Sequence, residues 1–524
     1  MAPSIAFTLH PAVAADECSL RLGTLTYSPK SVNSQEFQIP TPNYIPLTSR
    51  GTIPHVTQDM YRDNLKGERG VYIGLEDYIE RHTLQSPFYS IPCNATESPL
   101  RKFISLQPDT FMVLGPRRIP SIPCPASNTG SSLSILTSVG FGNLEVEDYI
   151  EAARRIKPDV AIGIGDVVLE EQGVILGVKR REKMVERTGA WMRAFINSLG
   201  GENRNIALFA PVLPVDAELQ SQYLADLHEE PDWASAVTGL ALYQLSSIEA
   251  IPPELSHLPR LALYNPSTPL AVLHNINLGI DIFTLPFISK STDAGVTFTF
   301  VFPAPPLPSS QSPLSSSSPN TALPRERLPL AENLWNPSYA RSRSPLSKTC
   351  QCYACKRHHR AYIHHLLSAK EMLAWVLLQI HNHSIMDEFF HGVRESIKQG
   401  TLESDVQKFA SVYEEEIVSS QGLGPRIRGY QHHSPHVVKA PQNPKAFKKY
   451  DIPPVKTASN PNNAIPNAQG GCPDDWEVNL GGGDDEWAAP DVEGEELEKA
   501  GFGMVDDDYD EGDDGDEGGV AINV

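Results

Sequence analysis

The sequence of 524 residues lacks any hydrophobic run long enough to cross a membrane. No window offers the roughly 18 consecutive apolar residues that a spanning helix needs. The start, MAPSIAFTLHPAVAADECSL, carries no Lys or Arg ahead of its apolar residues, which argues against a cleaved secretory signal. Phosphate loops of the GxGxxG and GxxxxGK[ST] types are also missing, which argues against a nucleotide-binding open sheet. These absences predict a chain without a membrane span in a reducing, cytoplasmic compartment.

The chain also lacks the cysteine pattern of a disulfide framework. Its seven cysteines are an odd number, and only those at 350, 352 and 355 are close together. Scattered thiols in a large intracellular protein are usually inert core residues. We expect that role for Cys18, Cys93 and Cys124, so the clustered three need a different explanation.

Charge is present but unevenly distributed, with a net value of -21. Residues 473–524 contain 20 Asp and Glu against one Lys, or -19, so the rest of the chain is nearly neutral. A Pro/Ser-rich stretch and the residues from 422 onward lack apolar periodicity, and such segments cannot bury enough apolar surface to fold. The sequence therefore predicts a folded part at 1–304 and 326–421, a disordered insertion at 305–325 and a disordered tail at 422–524.

Short β-branched runs alternate with amphipathic stretches between residues 145 and 302, which is the pattern of repeated βα units. The predicted strands are 159–168, 205–213, 236–242, 260–265 and 279–283. The predicted helices are EVEDYIEAARRI, KMVERTGAWMRAFINSL, AELQSQYLADLH and PLAVLHNIN. Five units, with room for more in the N-terminal part, favour an α/β fold with a closed (β/α)8 TIM-type barrel over an open doubly wound sheet.

The arrangement C-x-C-x-x-C at Cys350, Cys352 and Cys355 predicts a metal site. Crowded thiolates repel each other unless a cation neutralises them, and Zn²⁺ with sulfur and nitrogen ligands is the usual solution. Apolar residues at helical spacing predict one long helix over 361–381, closed by a histidine. Spacing leaves the fourth ligand open among His358, His359, His364, His365, His381 and His383. Four protein ligands would leave no position for a catalytic water, so we expect a structural site.

The segment CQCYACKRHHRAYIHHLLSAKEMLAWVLLQIHN resembles the zinc subdomain of the queuine/archaeosine tRNA-guanine transglycosylases. The resemblance covers roughly 15–420 and extends through GIDIF, LAENLWNPSYARSRSPLSKTC and FFHGVRESIKQGTLESD. It implies a barrel with a zinc subdomain, at about 340–390, inserted into or appended to its last units. It also implies one structural Zn²⁺, with the ligands Cys350, Cys352, Cys355 and His381.

The resemblance fails at the positions that carry the chemistry of the family. Catalytic members have an Asp after G-x-D-M-F that attacks the ribose, whereas GIDIFTLPFISK places Thr284 there. A threonine hydroxyl without an adjacent base is a poor nucleophile. Asp281 is expected on the opposite face of the strand from Thr284. Gly165 stands where the family keeps a base-recognising Asp, and Asp166 is one residue away.

Two further motifs of the family are missing. The Asp-Ser-Gly-Gly-(Phe/Tyr)-Gln motif is replaced by SVGFGNLE (138–145), and APVLP (210–214) lacks the Gln-Gly of the base pocket. Losses at strand ends, where barrel enzymes keep their chemistry, imply a pseudoenzyme. The resemblance then implies a non-catalytic subunit that forms a heterodimer with a separate catalytic subunit. The pair would exchange guanine for queuine at wobble position 34 of tRNAs with GUN anticodons (Asp, Asn, His, Tyr).

Two alternatives stay open: an active transglycosylase with an unrecognised nucleophile, and a zinc-stabilised RNA-binding module. For either RNA-related role, two basic clusters are candidates for tRNA phosphate contacts. The first comprises Lys179, Arg180, Arg181 and Lys183, for which a solvated helix face is an equally good explanation. The second comprises Lys356, Arg357 and Arg360 beside the metal loop. Residues 418–450 contain six Lys or Arg and no acid, and a linker paired electrostatically with the acidic tail is the better interpretation.

Overall fold

The computed structural model describes residues 5–10, 20–27, 36–65, 70–80, 86–94, 97–125, 127–137, 140–168, 176–199, 206–305 and 327–418. The β-strands are β1 (Ile5–Leu9), β2 (Gly23–Tyr27), β3 (Phe37–Thr41), β4 (Asn43–Tyr44), β5 (Gly70–Gly74), β6 (Phe111–Gly115), β7 (Ser132–Thr137), β8 (Gly140–Glu145), β9 (Val160–Ile162), β10 (Ala207–Val212), β11 (Val237–Leu242), β12 (Arg260–Ala262), β13 (Ile282–Phe283), β14 (Val296–Phe298) and β15 (Ala331–Asn333).

The α-helices are α1 (Gln58–Asn64), α2 (Pro99–Phe103), α3 (Val146–Ile156), α4 (Val178–Ser198), α5 (Ala217–Glu229), α6 (Pro231–Ala236), α7 (Pro269–Asn277), α8 (Pro286–Asp293), α9 (Tyr353–Arg357), α10 (Arg360–Ser368), α11 (Met372–Gln399) and α12 (Leu402–Val412). Short 3-10 helices cover Leu75–Tyr78, Pro87–Ser90, Leu245–Ala250, Pro253–Leu255 and Pro337–Arg341. The predicted insertion from 306 onward, the predicted tail, Cys18 and Cys472 lie outside the described residues.

Eight strands form one parallel sheet in the order β4-β13-β12-β11-β10-β9-β6-β5. The five strands predicted between 159 and 283 are all present as β9 to β13, each shorter than predicted. Three more, β4, β5 and β6, come from the N-terminal part of the chain. Parallel neighbours need crossover connections, and α3, α4, α5 and α7 occupy the predicted helical stretches between strands. The predicted α/β fold on a parallel sheet is therefore confirmed.

The sheet is curled, and backbone hydrogen bonds link its two ends. The amide of Tyr72 in β5 donates to Pro46 O (2.9 Å), and the amide of Thr48 donates to Tyr72 O (3.1 Å). An isolated parallel bridge between Leu47 and Tyr72 results, just beyond β4. Side chains alternate along each strand, so one apolar set fills the inner face and a second set packs beneath the helices.

A three-stranded antiparallel sheet, β1-β2-β3, covers the amino end of the inner face. Leu25, Tyr27 and Ile39 belong to the same buried cluster as the inner-face side chains. The Tyr27 ring lies 5.0 Å from the ring of Phe111, the first residue of β6, and its hydroxyl donates to Asp109 O. No pattern in the sequence had predicted this sheet.

Helix α7 shows why the helical predictions were accurate. Thr268 precedes it, and its hydroxyl accepts a hydrogen bond from the Ala271 amide (3.2 Å), which satisfies one of the free donors of the first turn. Pro269 is the first helical residue, where its missing N–H costs nothing. The observed helix covers the predicted stretch PLAVLHNIN without a shift.

The single long helix predicted over 361–381 is wrong, because the stretch forms two helices. A turn at 369–371 separates α10 from α11. Lys370 has a left-handed backbone (φ 56°), and its amide bonds to Leu367 O (2.9 Å), which ends α10. His381 therefore lies inside α11 rather than at a helix end. The break contains neither Gly nor Pro, so the usual sequence signal of a helix end was missing.

The last elements pack together beside the parallel sheet. Strands β14 and β15 pair antiparallel, and α11 contacts α8, α9, α10, α12 and β14. This arrangement brings the cysteine loop, which ends in α9, against the middle of α11. Among the described helices, not one has the length and apolar character that a membrane crossing requires.

Candidate metal centre and the filled face of the sheet

The three clustered cysteines form a compact loop at the start of α9. Cys352 is the residue before the helix, and its sulfur accepts from the Cys355 amide at 3.4 Å. The Cys350 sulfur accepts from the Cys352 amide at 3.5 Å. Backbone N–H groups aimed at sulfur favour the thiolate form, because they stabilise negative charge. Cys350 and Cys352 are buried, and Cys355 is half-buried.

His381 supplies the fourth donor from the middle of α11. Its Nδ1 lies 3.3 Å from the Cys355 sulfur and 3.6 Å from the Cys352 sulfur. Its Nε2 lies 2.9 Å from Phe298 O, a contact in which the nitrogen donates. That bond places the proton on Nε2 and leaves the Nδ1 lone pair facing the cysteines, as second-shell partners of metal-bound histidines do. The imidazole is fully buried.

The donor geometry fits a tetrahedral metal ion. All four ligand atoms lie within 4.8 Å of one another. Bonds of about 2.3 Å to sulfur and about 2.0 Å to nitrogen give sulfur–nitrogen edges of about 3.5 Å, close to those observed. Three thiolates this close repel each other, and a cation bound between them would relieve that repulsion.

Other histidines that the spacing left open have partners elsewhere. His364 contacts Leu334 O at 2.8 Å, and the buried His383 contacts Tyr44 Oη at 3.0 Å. His359 caps α10 by accepting from the Tyr362 amide at 3.1 Å. The His358 ring stacks on Tyr362. Geometry thus brings His381 to the cysteines, which spacing alone could not decide.

Asn382 holds the strand that orients His381. Its side-chain oxygen accepts from the Phe298 amide (2.9 Å), and its NH₂ donates to Thr292 Oγ1 and Val296 O (3.0 Å each). The residue is fully buried. Because Phe298 O holds the His381 ring, Asn382 acts on the metal centre through the β14 backbone.

At the carboxyl ends of the parallel strands, in contrast, the polar side chains form hydrogen bonds with other groups of the chain. Thr284, just after β13, is fully buried and its hydroxyl donates to Ala262 O at 2.8 Å. A hydroxyl in this state has no described base beside it to remove its proton. The residue is therefore tied to the backbone of the adjacent strand β12.

Asp166, beyond β9, is also fully buried and fully bonded. Its Oδ1 accepts from Asn128 Nδ2 (2.7 Å) and Arg180 Nη2 (2.8 Å). Its Oδ2 accepts from Arg180 Nη1 (2.8 Å) and Arg187 Nη1 (3.1 Å). Burial alone would raise the pKa of Asp166, but the hydrogen bonds from Arg180 and Asn128 outweigh it and lower the pKa. Four donors occupy the lone-pair directions of a carboxylate.

Arg117 fills the centre of the same face. Its guanidinium donates to Ser134 O (2.5 and 3.0 Å), Val167 O (3.1 Å) and Asn128 Oδ1 (3.1 Å). The hydroxyl of Tyr72 donates to Arg117 O at 2.7 Å. The space lined by Tyr72, Arg117, Gly165, Val167 and Tyr243 is about 10 Å³. That is about the minimum for one water molecule.

Comparison with known proteins agrees with this architecture. The sequence profile described as Queuine tRNA-ribosyltransferase matches residues 16–415. The chain belongs to this family. Curated relatives are named Queuine tRNA-ribosyltransferase accessory subunit 2. The one from Schizosaccharomyces pombe is 32% identical over 407 residues, 76% of this chain and 85% of that protein. Those from Gallus gallus and Homo sapiens are each 26% identical, covering 73% and 69% of this chain and 92% and 90% of theirs.

Family membership confirms the resemblance first seen around the cysteine loop. In this member of the queuine tRNA-ribosyltransferase family, Asp281 lies at the amino end of β13, away from Thr284. Its carboxylate accepts from the Arg260 amide (2.8 Å) and pairs with Arg21 (3.2 Å). Burial raises the pKa of Asp281 to about 6, against the opposing effect of Arg21. Asp281 is therefore bonded to the backbone and to Arg21, as expected of a residue that stabilises the fold.

Of the residues predicted to contact tRNA, some form ion pairs within the chain and others are exposed. Arg180 pairs with Asp166, Arg181 pairs with Asp216, and Arg360 pairs with Glu332 at 2.6 Å. Arg360 also donates to Pro345 O and Leu346 O, so it stabilises the backbone that leads into the cysteine loop. The side chains that remain exposed are Lys179, Lys183, Lys356 and Arg357.

Sequence reasoning missed the residues that fill the carboxyl face. Arg117, Asn128 and Arg187 come from three separate elements and share no motif. A weak signal existed in the paired arginines after β6, because charge directly behind a buried strand needs a partner. Phe298 contributes a backbone carbonyl, which a sequence pattern cannot reveal.

Proposed function

We propose that this chain is the non-catalytic subunit of a queuine tRNA-ribosyltransferase heterodimer. It would support the exchange of guanine for queuine at wobble position 34 of tRNAs with GUN anticodons, while a separate catalytic subunit performs the chemistry. The observation that carries the proposal is the filled carboxyl face. Barrel enzymes place their catalytic groups there, and in this chain Thr284, Asp166 and Arg117 bond within the protein.

We infer that the curled sheet is a closed (β/α)8 barrel with a zinc subdomain at about 340–390. The link between Tyr72 and the residues after β4 supports closure. The Cys3His cluster supports Zn²⁺, which would be held by Cys350, Cys352, Cys355 and His381. Bound there, the ion would supply structural cross-linking between loop and helix, since four protein ligands leave no open position. We also propose that the folded part comprises residues 1–304 and 326–421, as the sequence predicts.

The partner and the compartment follow from the same reasoning. Relatives named accessory subunit 2 support a separate catalytic partner. A cytoplasmic, reducing location suits thiols that must stay reduced to bind metal. For tRNA, we retain Lys356 and Arg357, because both are exposed beside the metal loop.

The decisive experiment co-expresses the chain with a catalytic subunit of the family and measures size and base exchange. We expect a heterodimer, exchange of labelled guanine in tRNA by the pair, and none by this chain alone. A chain that stays apart from a partner equally active alone would refute the proposal. Exchange by this chain alone, lost on Asp281→Asn, would show an active enzyme. Failure to associate with any catalytic transglycosylase, with RNA binding retained, would favour the RNA-binding module.

The tRNA contacts can be tested with charge variants of the heterodimer. The double variant Lys356→Ala/Arg357→Ala should weaken tRNA binding and reduce the slope of log affinity against log salt by about 1 to 2. The matched control is Lys398→Ala on α11, which removes an exposed charge elsewhere. An unchanged salt slope would show that these two side chains do not meet phosphate.

A further inference from the structure

Two arginines share one carboxylate at the amino end of the parallel sheet. Arg21 lies just before β2, and its Nε is 3.2 Å from Asp281 Oδ1. Arg260 is the first residue of β12, and its amide donates to Asp281 Oδ2 at 2.8 Å. In the described part of the chain, Asp281 is the only acidic side chain that acts electrostatically on either guanidinium. Two positive charges therefore face a single negative charge.

The fold itself positions both guanidinium groups. Arg21 Nη2 donates to Leu258 O at 2.8 Å, and Arg21 Cζ lies 5.7 Å from the centre of the Phe7 ring in β1. Arg260 Nη1 donates to Gly279 O at 3.2 Å. These contacts come from β1 and from the segments before β12 and β13, so the two charges are held where the three-stranded sheet meets the parallel sheet.

Three N–H groups of the pair remain without an acceptor. Arg21 Nε, Arg21 Nη1 and Arg260 Nε are buried, and within the described residues none of them has a hydrogen-bond partner. The contact between Arg21 Nε and Asp281 Oδ1 is close but lacks the alignment of a hydrogen bond. Arg21 as a whole is only 9% exposed. Since buried donors in folded proteins are nearly always paired, these three call for an acceptor from outside the chain.

The surplus of positive charge decides what kind of acceptor fits. Burial, with a smaller contribution from the neighbouring Arg21, lowers the pKa of Arg260 to about 10. Burial also lowers the pKa of Arg21, against the opposing effect of Asp281. A water molecule would accept hydrogen bonds but leave the surplus charge uncompensated, which is costly in a buried position. An anion would satisfy both the donors and the charge.

We propose that Arg21 and Arg260 form a binding site for a small monovalent anion of the halide class, which stabilises the packing of the three-stranded sheet against the parallel sheet. One surplus positive charge matches a monoanion. The burial of Arg21 favours a small free ion over a phosphate group carried by a macromolecule. This inference goes beyond the proposed function, and it holds whether or not the chain assembles with a catalytic subunit.

The test measures the melting temperature of the full chain while sodium gluconate is replaced by sodium chloride at constant ionic strength. Gluconate is the reference because it is too large for a buried site. The melting temperature should rise in a saturable manner, by about 2 °C at a chloride concentration ten times the dissociation constant. Bromide should act in the same way. Anomalous diffraction from a crystal soaked in bromide should then place the ion beside the two guanidinium groups.

Variants of the charged groups separate this site from a general salt effect. Arg260→Gln removes the surplus charge and should abolish the response to chloride. Arg154→Gln alters an exposed arginine on α3 and is the matched control, which should retain the response. Asp281→Asn increases the surplus and should lower the dissociation constant for chloride by about tenfold or more.

Equal melting temperatures in chloride and gluconate would overturn the proposal, as would a response of equal size in Arg260→Gln. A crystal soaked in bromide that shows water only at Arg21 would have the same consequence. Stabilisation by inorganic phosphate without stabilisation by chloride would refute the halide class. If Arg260→Gln does not fold, the bromide experiment on the unmodified chain decides the question, because it requires no variant.

Discussion

The metal-ligand cluster and the carboxyl face of the sheet are both buried and polar, but they satisfy their polar groups in opposite ways. At the cluster, three sulfurs and one imidazole nitrogen converge on a common point. At the carboxyl face, Thr284, Asp166 and Arg117 point at groups of the chain itself. The first arrangement suits a bound metal ion, whereas the polar groups of the second form their hydrogen bonds within the chain.

The difference teaches which region still has a binding role. A site kept for binding retains lone pairs without an internal partner, at the cost of charge repulsion that the ligand relieves. A site that has lost its role fills with internal hydrogen bonds, which remove the cost of burying polar groups. By this criterion we propose that the cluster binds a metal ion and that the polar groups of the carboxyl face stabilise the fold.

The largest expected effect comes from removing a sulfur ligand. Cys352→Ser should abolish stoichiometric metal binding, lower the free energy of unfolding by about 5 kcal/mol or more, and prevent heterodimer assembly. Metal analysis, thermal unfolding and sizing measure these results. Cys93→Ser, a change at a thiol outside the cluster, should alter none of them. Retention of folding and assembly by Cys352→Ser would break the contrast between the two regions.

Asn382→Ala should have the next largest effect. Three buried groups, Phe298 N, Val296 O and Thr292 Oγ1, would lose their partner, at a cost of about 3 kcal/mol in the free energy of unfolding. Because Phe298 O orients His381, metal affinity should also fall by about 10- to 100-fold. Gln399→Ala on the exposed end of the same helix is the control. Unchanged metal affinity would show that β14 does not position the ligand.

Asp281 should make stability depend on pH in a direction opposite to that of an ordinary carboxylate. Burial raises its pKa in the folded state to about 6, above about 3.9 in the unfolded chain. The folded state therefore binds the proton more tightly, and the free energy of unfolding should fall by about 2 kcal/mol as the pH rises from about 4 to 6.

Denaturant titrations across this pH range test the slope, which Asp281→Asn should remove. The exposed carboxylate Asp59 provides the control variant Asp59→Asn. A contribution from Asp281 that increases with pH would mean that its pairing with Arg21 outweighs burial.

Thr284→Val should have the smallest effect. Loss of the bond to Ala262 O should cost about 1 kcal/mol in the free energy of unfolding, and base exchange by the heterodimer should be unchanged. Thr297→Val is a matched control, since the buried Thr297 hydroxyl has no hydrogen-bond partner in the described chain and its removal should be neutral or stabilising. A loss of base exchange with Thr284→Val would show that the carboxyl face has a chemical role and would contradict the prediction.

The sequence predicted well where the information was local and periodic. The runs that became β10 and β11 are continuous and apolar because both faces of a parallel sheet are covered. Helix α7 carries its own cap and proline. By contrast, β1 to β3 are paired through contacts that no local pattern encodes, and the turn at Lys370 has no breaker residue. Tertiary packing decided these elements.

By itself, the sequence predicted the type of donor at the candidate metal centre, because three thiolates crowded into six residues repel each other unless a cation neutralises them. The resemblance to the family also predicts that Thr284 stands where catalytic members have an Asp. Spacing left the fourth donor open among six histidines and the resemblance implied His381, but only the tertiary structure gives the reason, since the position of α11 and the contact with Phe298 O bring this ring to the cysteines. Likewise, only the structure showed that the Asp166 carboxylate accepts hydrogen bonds from Arg180 and Arg187. Arg180 and Arg187 follow it by 14 and 21 residues, and a hydrogen bond depends on distance in space rather than along the chain.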